Sequence, residues 1–105
     1  MGDIMPEYVR VMGVGDLLPG KGQVAEVNGR EIAIFNVDGT FFAIDNTCAH
    51  RGGPLGEGEL EGAVVTCPWH GWEYNVWTGI SLTTPSASVK TYEVKVHGDD
   101  VNILV

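Results

Sequence analysis

Four side chains in this sequence stand in a pattern that can do metal or thiol chemistry. Cys48-Ala49-His50 offers a thiol and an imidazole on one short stretch, and Cys67-Pro68-Trp69-His70 offers the same pair in the same order. A thiolate is a soft ligand and an imidazole a borderline one; both suit iron and zinc, so ligand type alone does not choose the metal. One outcome is a single tetrahedral zinc held by two cysteines and two histidines. Another is a two-metal cluster with both sulfurs on one metal and both imidazoles on the other. A third is a disulfide between Cys48 and Cys67, the chain's two cysteines, as a secreted protein would form. Spacing separates these readings. Zinc modules pair cysteine with cysteine and histidine with histidine, about two to five residues apart. Here each clip pairs cysteine with histidine, which suits loops that must each reach two metals at once.

The elements that must position these clips read as β-strands throughout. Tyr8 to Met12 is a short extended run, and Asp16-Leu17-Leu18-Pro19 reads as one helical turn capped by Asp16. Gln23 to Val27 and Arg30 to Val37 flank Asn28-Gly29, the dipeptide of a tight hairpin. Asp38-Gly39 then leads into Thr40 to Ile44, making a three-strand meander of mostly apolar strands. Toward the end, Val89 to His97 alternates, with Tyr92, Val94 and Val96 on one face, and Val101, Ile103 and Val105 continue an apolar face after Gly98-Asp99-Asp100. Short strands between turn signals predict an all-β fold, an antiparallel β sandwich or small barrel. Residues 46–88 differ in composition. They hold both clips, two strand-like pieces (Ala63 to Thr66 and Trp72 to Val76) and many loop residues, and read as a subdomain inserted in the β frame of a single domain spanning 1–105. Glu57, Glu59 and Glu61 read as a solvated turn.

Composition narrows the function classes. An apolar fraction of 44% with 19% charged residues is ordinary for a soluble globular chain. Fourteen acidic against six basic side chains give a formal charge of -8, which phosphates would repel, so nucleic acid is not an expected partner. The same charge favours encounter with a basic patch on a protein. No run approaches the roughly eighteen apolar residues of a membrane span, so no membrane is expected. The start, Met1 to Glu7, has no basic residue and no apolar stretch of signal-peptide length, and a cytoplasmic location is expected.

Cys48-Ala49-His50 with Cys67-Pro68-Trp69-His70-Gly71-Trp72 resembles the Rieske [2Fe-2S] motif, C-x-H then C-x-x-H, in which two histidines replace two cysteines on one iron. The resemblance implies one [2Fe-2S] cluster, with Cys48 and Cys67 on one iron and His50 and His70 on the other. It implies the Rieske fold, with the cluster-binding subdomain at about residues 46–88. Gly52, Gly53 and Gly71 would let backbone approach the cluster. Pro54-Leu55, Trp69 and Thr84-Pro85-Ser86 would form a rim over it, Pro85 in the covering loop. Trp72 and Tyr74, on one face of a short strand, read as core. Rieske proteins of respiratory complexes carry an extra cysteine in each clip; Gly53 and Trp69 stand there, so no disulfide staple is possible. Those proteins also place a serine where this chain has Trp72. Tyr74 is retained, the serine is lost, and a low midpoint potential follows.

For function, the resemblance implies a one-electron carrier that is not itself an enzyme: a small ferredoxin serving a multicomponent oxygenase. Its partners would be a flavoprotein reductase and a terminal oxygenase with basic docking patches, and the chain would act as a monomer. A mononuclear iron oxygenase needs two further histidines. His97 alone remains, on the polar face of its strand, so the chain is no complete oxygenase. An alternative is the small Rieske subunit of an assimilatory nitrite reductase, and a more distant one is a zinc-binding interaction domain.

Overall fold

The computed structural model describes residues 7–69 and 71–105. Its strands run in chain order as β1 (Tyr8–Gly13), β2 (Gly22–Val27), β3 (Arg30–Val37), β4 (Thr40–Asp45), β5 (Glu59–Glu61), β6 (Val64–Thr66), β7 (Glu73–Asn75), β8 (Thr91–Tyr92), β9 (Val94–His97) and β10 (Asp100–Leu104). They form three antiparallel sheets, ordered β1-β10-β9, β2-β3-β4-β8 and β5-β6-β7. The all-β expectation agrees with this architecture, and β5-β6-β7 falls in chain order between β4 and β8.

Two dipeptides start the second sheet. Asn28 and Gly29 (φ 52° and 80°) and Asp38 and Gly39 (φ 52° and 93°) occupy the left-handed region that a two-residue type I′ hairpin demands. Val27 therefore faces Arg30, and Val37 faces Thr40, and both registers run unbroken from there. Because side chains alternate along a strand, the middle sheet is buried on both faces. Ile32, Ile34, Phe41 and Ala43 point into one core with Met12, Leu17, Val101 and Ile103 from the first sheet's side. Ala33, Phe35 and Ile44 point the other way, into a second core with Val65, Tyr74, Val76 and both cysteines. Each large apolar side chain fully buried here contributes about 1.5–3 kcal/mol relative to exposure.

Three local expectations need correction. The helical turn spans Val14–Asp16, not residues 16–19, and Asp16 ends it by reaching back to accept the Gly13 N–H at 2.9 Å. Pro19 disfavours helical backbone at Leu18, and Leu17 is already extended, with its carbonyl accepting the buried Asn36 side-chain amide at 2.7 Å. Glu59–Glu61 is strand β5 and not a turn, since Leu60 packs inward opposite Val65 while the two carboxylates face out. Residues 89–97 do not make one strand. They break at Glu93, so that β8 pairs with β4 and β9 pairs with β10 in a different sheet. Val96 is consequently 47% exposed, although Tyr92 is buried.

Candidate metal centre

The first clip hangs from the end of β4 and is closed by its own backbone. Cys48 N–H donates to Gly53 O (2.9 Å), Gly52 N–H donates to Cys48 O (2.9 Å), and Leu55 N–H donates to Asn46 O (2.7 Å). Gly52 has φ +77°, the left-handed turn residue that this tight closure requires. Asn46, buried beneath, accepts the Gly56 N–H through its side chain at 2.7 Å and so anchors the far end of the loop. The second clip joins β6 to β7, with Cys67 N–H donating to Trp72 O at 2.7 Å across its base.

These loops bring Cys48 and Cys67 together as free, buried thiols, 2% and 1% exposed, within hydrogen-bonding reach of each other. No disulfide joins them in this structure. Gly53 explains the fit: a Cβ there would lie 2.5 Å from the Cys67 sulfur and 3.0 Å from Trp69. Its missing side chain is the space the second clip's sulfur occupies.

The surroundings of the two sulfurs differ. Burial pushes the Cys48 thiol up, but the Tyr74 hydroxyl, the backbone N–H groups of His50 and Arg51, and Cys67 together hold it below the usual thiol range. Burial pushes the Cys67 thiol up as well, and its neighbour Cys48 adds to this, against a single favourable N–H from Trp69. The Tyr74 hydroxyl accepts the Ala49 N–H at 3.0 Å and lies 3.2 Å from the Cys48 sulfur. Facing a thiolate, only the phenol has a proton to give. Burial first, and the bond to Cys48 second, push the Tyr74 hydroxyl up to about 12.

Tyr74 is thus in the core, as expected, and is also a sulfur partner, which hydrophobic periodicity could not reveal. Trp72 departs further from expectation. It is half-buried, and its ring stacks on His50 with centroids 4.5 Å apart and planes within 4°. The sequence signal for that pairing was only the position of a large aromatic beside the second clip. The rim also needs amendment. Leu55 is fully buried in the core below the first clip, whereas Trp69 is half exposed and Pro85 is exposed. The loop around Pro85 is tied to β7: Ser81 accepts the Thr83 and Thr84 N–H groups and donates to Glu73 O, and Thr83 accepts the Glu73 N–H. The backbone donors to the two sulfurs are the N–H groups of His50, Arg51 and Trp69.

His50 is exposed at the tip of its clip, and His70, the fourth predicted ligand, lies outside the described residues. Among the described residues no three His, Cys, Asp or Glu side chains gather into one metal-binding group. The described part of the donor set nevertheless fits a sulfur-rich cluster. Two adjacent unoxidised thiols, one lowered by hydrogen bonds, sit in a cradle that a single methyl would fill.

Residues 7–93 match the family described as the Rieske [2Fe-2S] domain, and the chain belongs to that family. It is 34% identical over 92 residues to the ferredoxin component of the naphthalene 1,2-dioxygenase system of Pseudomonas putida, covering 87% of this chain and 88% of that one. It is 39% identical over 93 residues to the ferredoxin component of biphenyl 2,3-dioxygenase of Rhodococcus jostii, covering 88% and 87%. Among solved structures, a chain in the complex of reduced oxygenase and oxidised ferredoxin of carbazole 1,9a-dioxygenase superposes with a TM-score of 0.85 at 31% identity, covering 92% of each chain. No helix among the described residues is long and apolar enough to cross a membrane.

Proposed function

We propose that this chain is the ferredoxin component of a multicomponent oxygenase, a one-electron carrier and not an enzyme in its own right. The observation that carries the reading is the buried pair of free thiols, Cys48 and Cys67, joined by hydrogen-bond donors at the meeting of two closed clips. Cys48 and Cys67 would hold one iron of a Rieske [2Fe-2S] cluster and His50 and His70 the other. When bound, such a cluster supplies a single-electron redox couple at potentials of roughly -150 to +300 mV. The chain's residues set where in that span it falls. Tyr74 O–H and the N–H groups of His50, Arg51 and Trp69 aim positive charge at the sulfurs and so favour the more negative, reduced state. Trp72 holds the plane of the His50 ring by stacking. It contributes no hydroxyl where Rieske proteins of respiratory complexes have serine, and a potential toward the low end of the span is expected.

His50, exposed at the tip of the first clip, and His70 of the second would offer the edge through which an electron passes. The donor is a flavoprotein reductase and the acceptor a terminal oxygenase, each meeting the acidic chain with a basic patch. The chain works as a monomeric single domain in the cytoplasm, with the loop around Pro85 shielding the centre.

Anaerobic reconstitution with iron and sulfide tests this directly. The expected product is coloured, and its reduced form gives the electron paramagnetic resonance spectrum of mixed histidine and cysteine ligation. A colourless, iron-free product overturns the proposal, and a four-cysteine type of spectrum overturns the ligand assignment. Copurification with a large siroheme protein would move the chain to the nitrite reductase alternative.

A further inference from the structure

The sheet that carries the second clip has an outer face, and residues 80–82 widen it. Tyr74 bridges to Ser81, Leu82 N–H donates to Glu73 O at 2.9 Å, and Asn75 N–H donates to Ile80 O at 3.0 Å. Registers across these segments place Leu60, Val65, Tyr74 and Ser81 in one inward row. Two rows are left facing out. One is Glu59, Thr66, Glu73 and Leu82, and the other is Glu61, Val64, Asn75 and Ile80.

This face combines unmatched charge with exposed apolar surface. Side chains of Glu59, Glu61, Val64, Thr66, Glu73 and Leu82 border a shallow hollow of about 240 Å³ that contains no lysine or arginine. Among the described residues none of the three carboxylates makes an ion pair; the ion pair present joins Arg10 to Asp100 on the frame. Leu82 and Ile80 stand 50% and 46% exposed at one edge. A cationic surface laid over these carboxylates would supply the counter-charge they lack. The first outer row also adjoins the clip, since Thr66 precedes Cys67 and Glu73 follows Trp72. A second hollow runs from Glu57 and Glu59 past Thr66 to Cys67, Pro68 and Gly71, so the acidic face and the clip share one continuous surface.

Resting on the electron-carrier reading, we propose that the outer face of β5–β6–β7, with residues 80–82, is a docking surface for the protein that exchanges an electron at the clips. The occupant presents lysines or arginines to Glu59, Glu61 and Glu73 and an apolar side chain to Leu82. Redox encounters use small interfaces, below about 1,200 Å² in total, and the clip tip plus two short rows suits that scale. The charges steer the approach and fix the orientation, while Leu82 supplies the desolvated contact.

The test uses the cluster-loaded protein, reduced, passing its electron to ferric cytochrome c, whose haem edge is ringed by lysines. Stopped-flow rates are read from low to high salt. The triple variant Glu59→Gln, Glu61→Gln, Glu73→Gln is compared with Glu7→Gln, Glu26→Gln, Asp99→Asn, which removes the same charge from the frame. The face variant is expected to lose about three- to ten-fold in second-order rate at low salt and to flatten the salt dependence. The frame variant is expected to stay near the parent, and Leu82→Lys to slow transfer again. Equal slowing by both triples, or none by either, overturns the docking surface while leaving the carrier reading intact. A parent protein that transfers no electron at any salt overturns both.

Discussion

The two faces of the middle sheet are built from the same strands and solve different problems. On one side, Ile32, Ile34, Phe41 and Ala43 meet β1 and β10, and the core there is apolar apart from the Tyr92 hydroxyl and the buried Asn36 amide that donates to Leu17 O. On the other, Ala33, Phe35 and Ile44 meet a sheet whose strands are three residues long, and two thiols are part of the core. The frame closes by hydrophobic burial and long ladders, with a few side-chain hydrogen bonds such as Tyr92 to Asp45. The cluster half has short ladders, and burial disfavours the thiolates a metal would need. Metal binding would add folding free energy to this half. Adjacent residues on one strand therefore answer to different stabilising forces.

The largest effect expected from this difference comes from Ile34 and Phe35, neighbours on β3 that point to opposite sides and are both fully buried. Ile34→Ala should cost about 2–5 kcal/mol and Phe35→Ala about 3–5 kcal/mol of unfolding free energy. Iron content and visible circular dichroism divide them. Ile34→Ala should keep a full complement of iron per folded chain, whereas Phe35→Ala, in the core that also holds the cysteines, should lose most of it. Equal iron retention in both would mean that the two cores act as one.

How much of this was legible in the sequence depended on how local the cause was. Asn28-Gly29 and Asp38-Gly39 set their own hairpins because φ is a property of the residue. The alternation of β3 reads as continuous apolar sequence, and that is how a strand buried on both faces must look. The break at Glu93 was illegible, since Val89 to His97 alternates cleanly and only pairing partners reveal that β8 and β9 belong to different sheets. In the site, the matched clips made Cys48 and Cys67 plain. The stack of Trp72 on His50 and the reach of Tyr74 to Cys48 join distant loops, so no spacing rule could find them.

A smaller and sharper contrast lies within the first clip. Gly53 needs no left-handed backbone, so Gly53→Ala acts only through its new Cβ, 2.5 Å from the Cys67 sulfur. Gly52 has φ +77° and nothing nearer than 3.7 Å, so Gly52→Ala acts only through backbone strain, about 1–2 kcal/mol. Reconstitution should fail or fall several-fold in yield for Gly53→Ala and succeed for Gly52→Ala with a modestly lower unfolding midpoint. The reverse order would place the clip's constraint in its turn and not in the space beside the sulfur.

The smallest effects come from two buried tyrosines, one in each half, whose hydroxyls do unlike things. Tyr74 donates toward the Cys48 sulfur, a site whose negative charge grows on reduction. Losing one such bond, about 1 kcal/mol, should lower the midpoint potential of Tyr74→Phe by roughly 40 mV, at about 59 mV per tenfold for one electron. Tyr92 donates to Asp45 at 2.6 Å and locks β8 to the end of β4. Burial, then the Asp45 carboxylate, push the Tyr92 hydroxyl up, only partly opposed by Arg30. A raised value in the folded state means that this stabilisation is complete below the unfolded tyrosine range, near pH ~10. It is then lost as pH climbs through the folded value. Tyr92→Phe should leave the potential unchanged and lower stability by about 1 kcal/mol at neutral pH. Urea midpoints of variant and parent should converge above pH ~10 as the parent loses what the variant never had. A potential shift in Tyr92→Phe of the size expected for Tyr74→Phe would show that the frame tunes the centre after all.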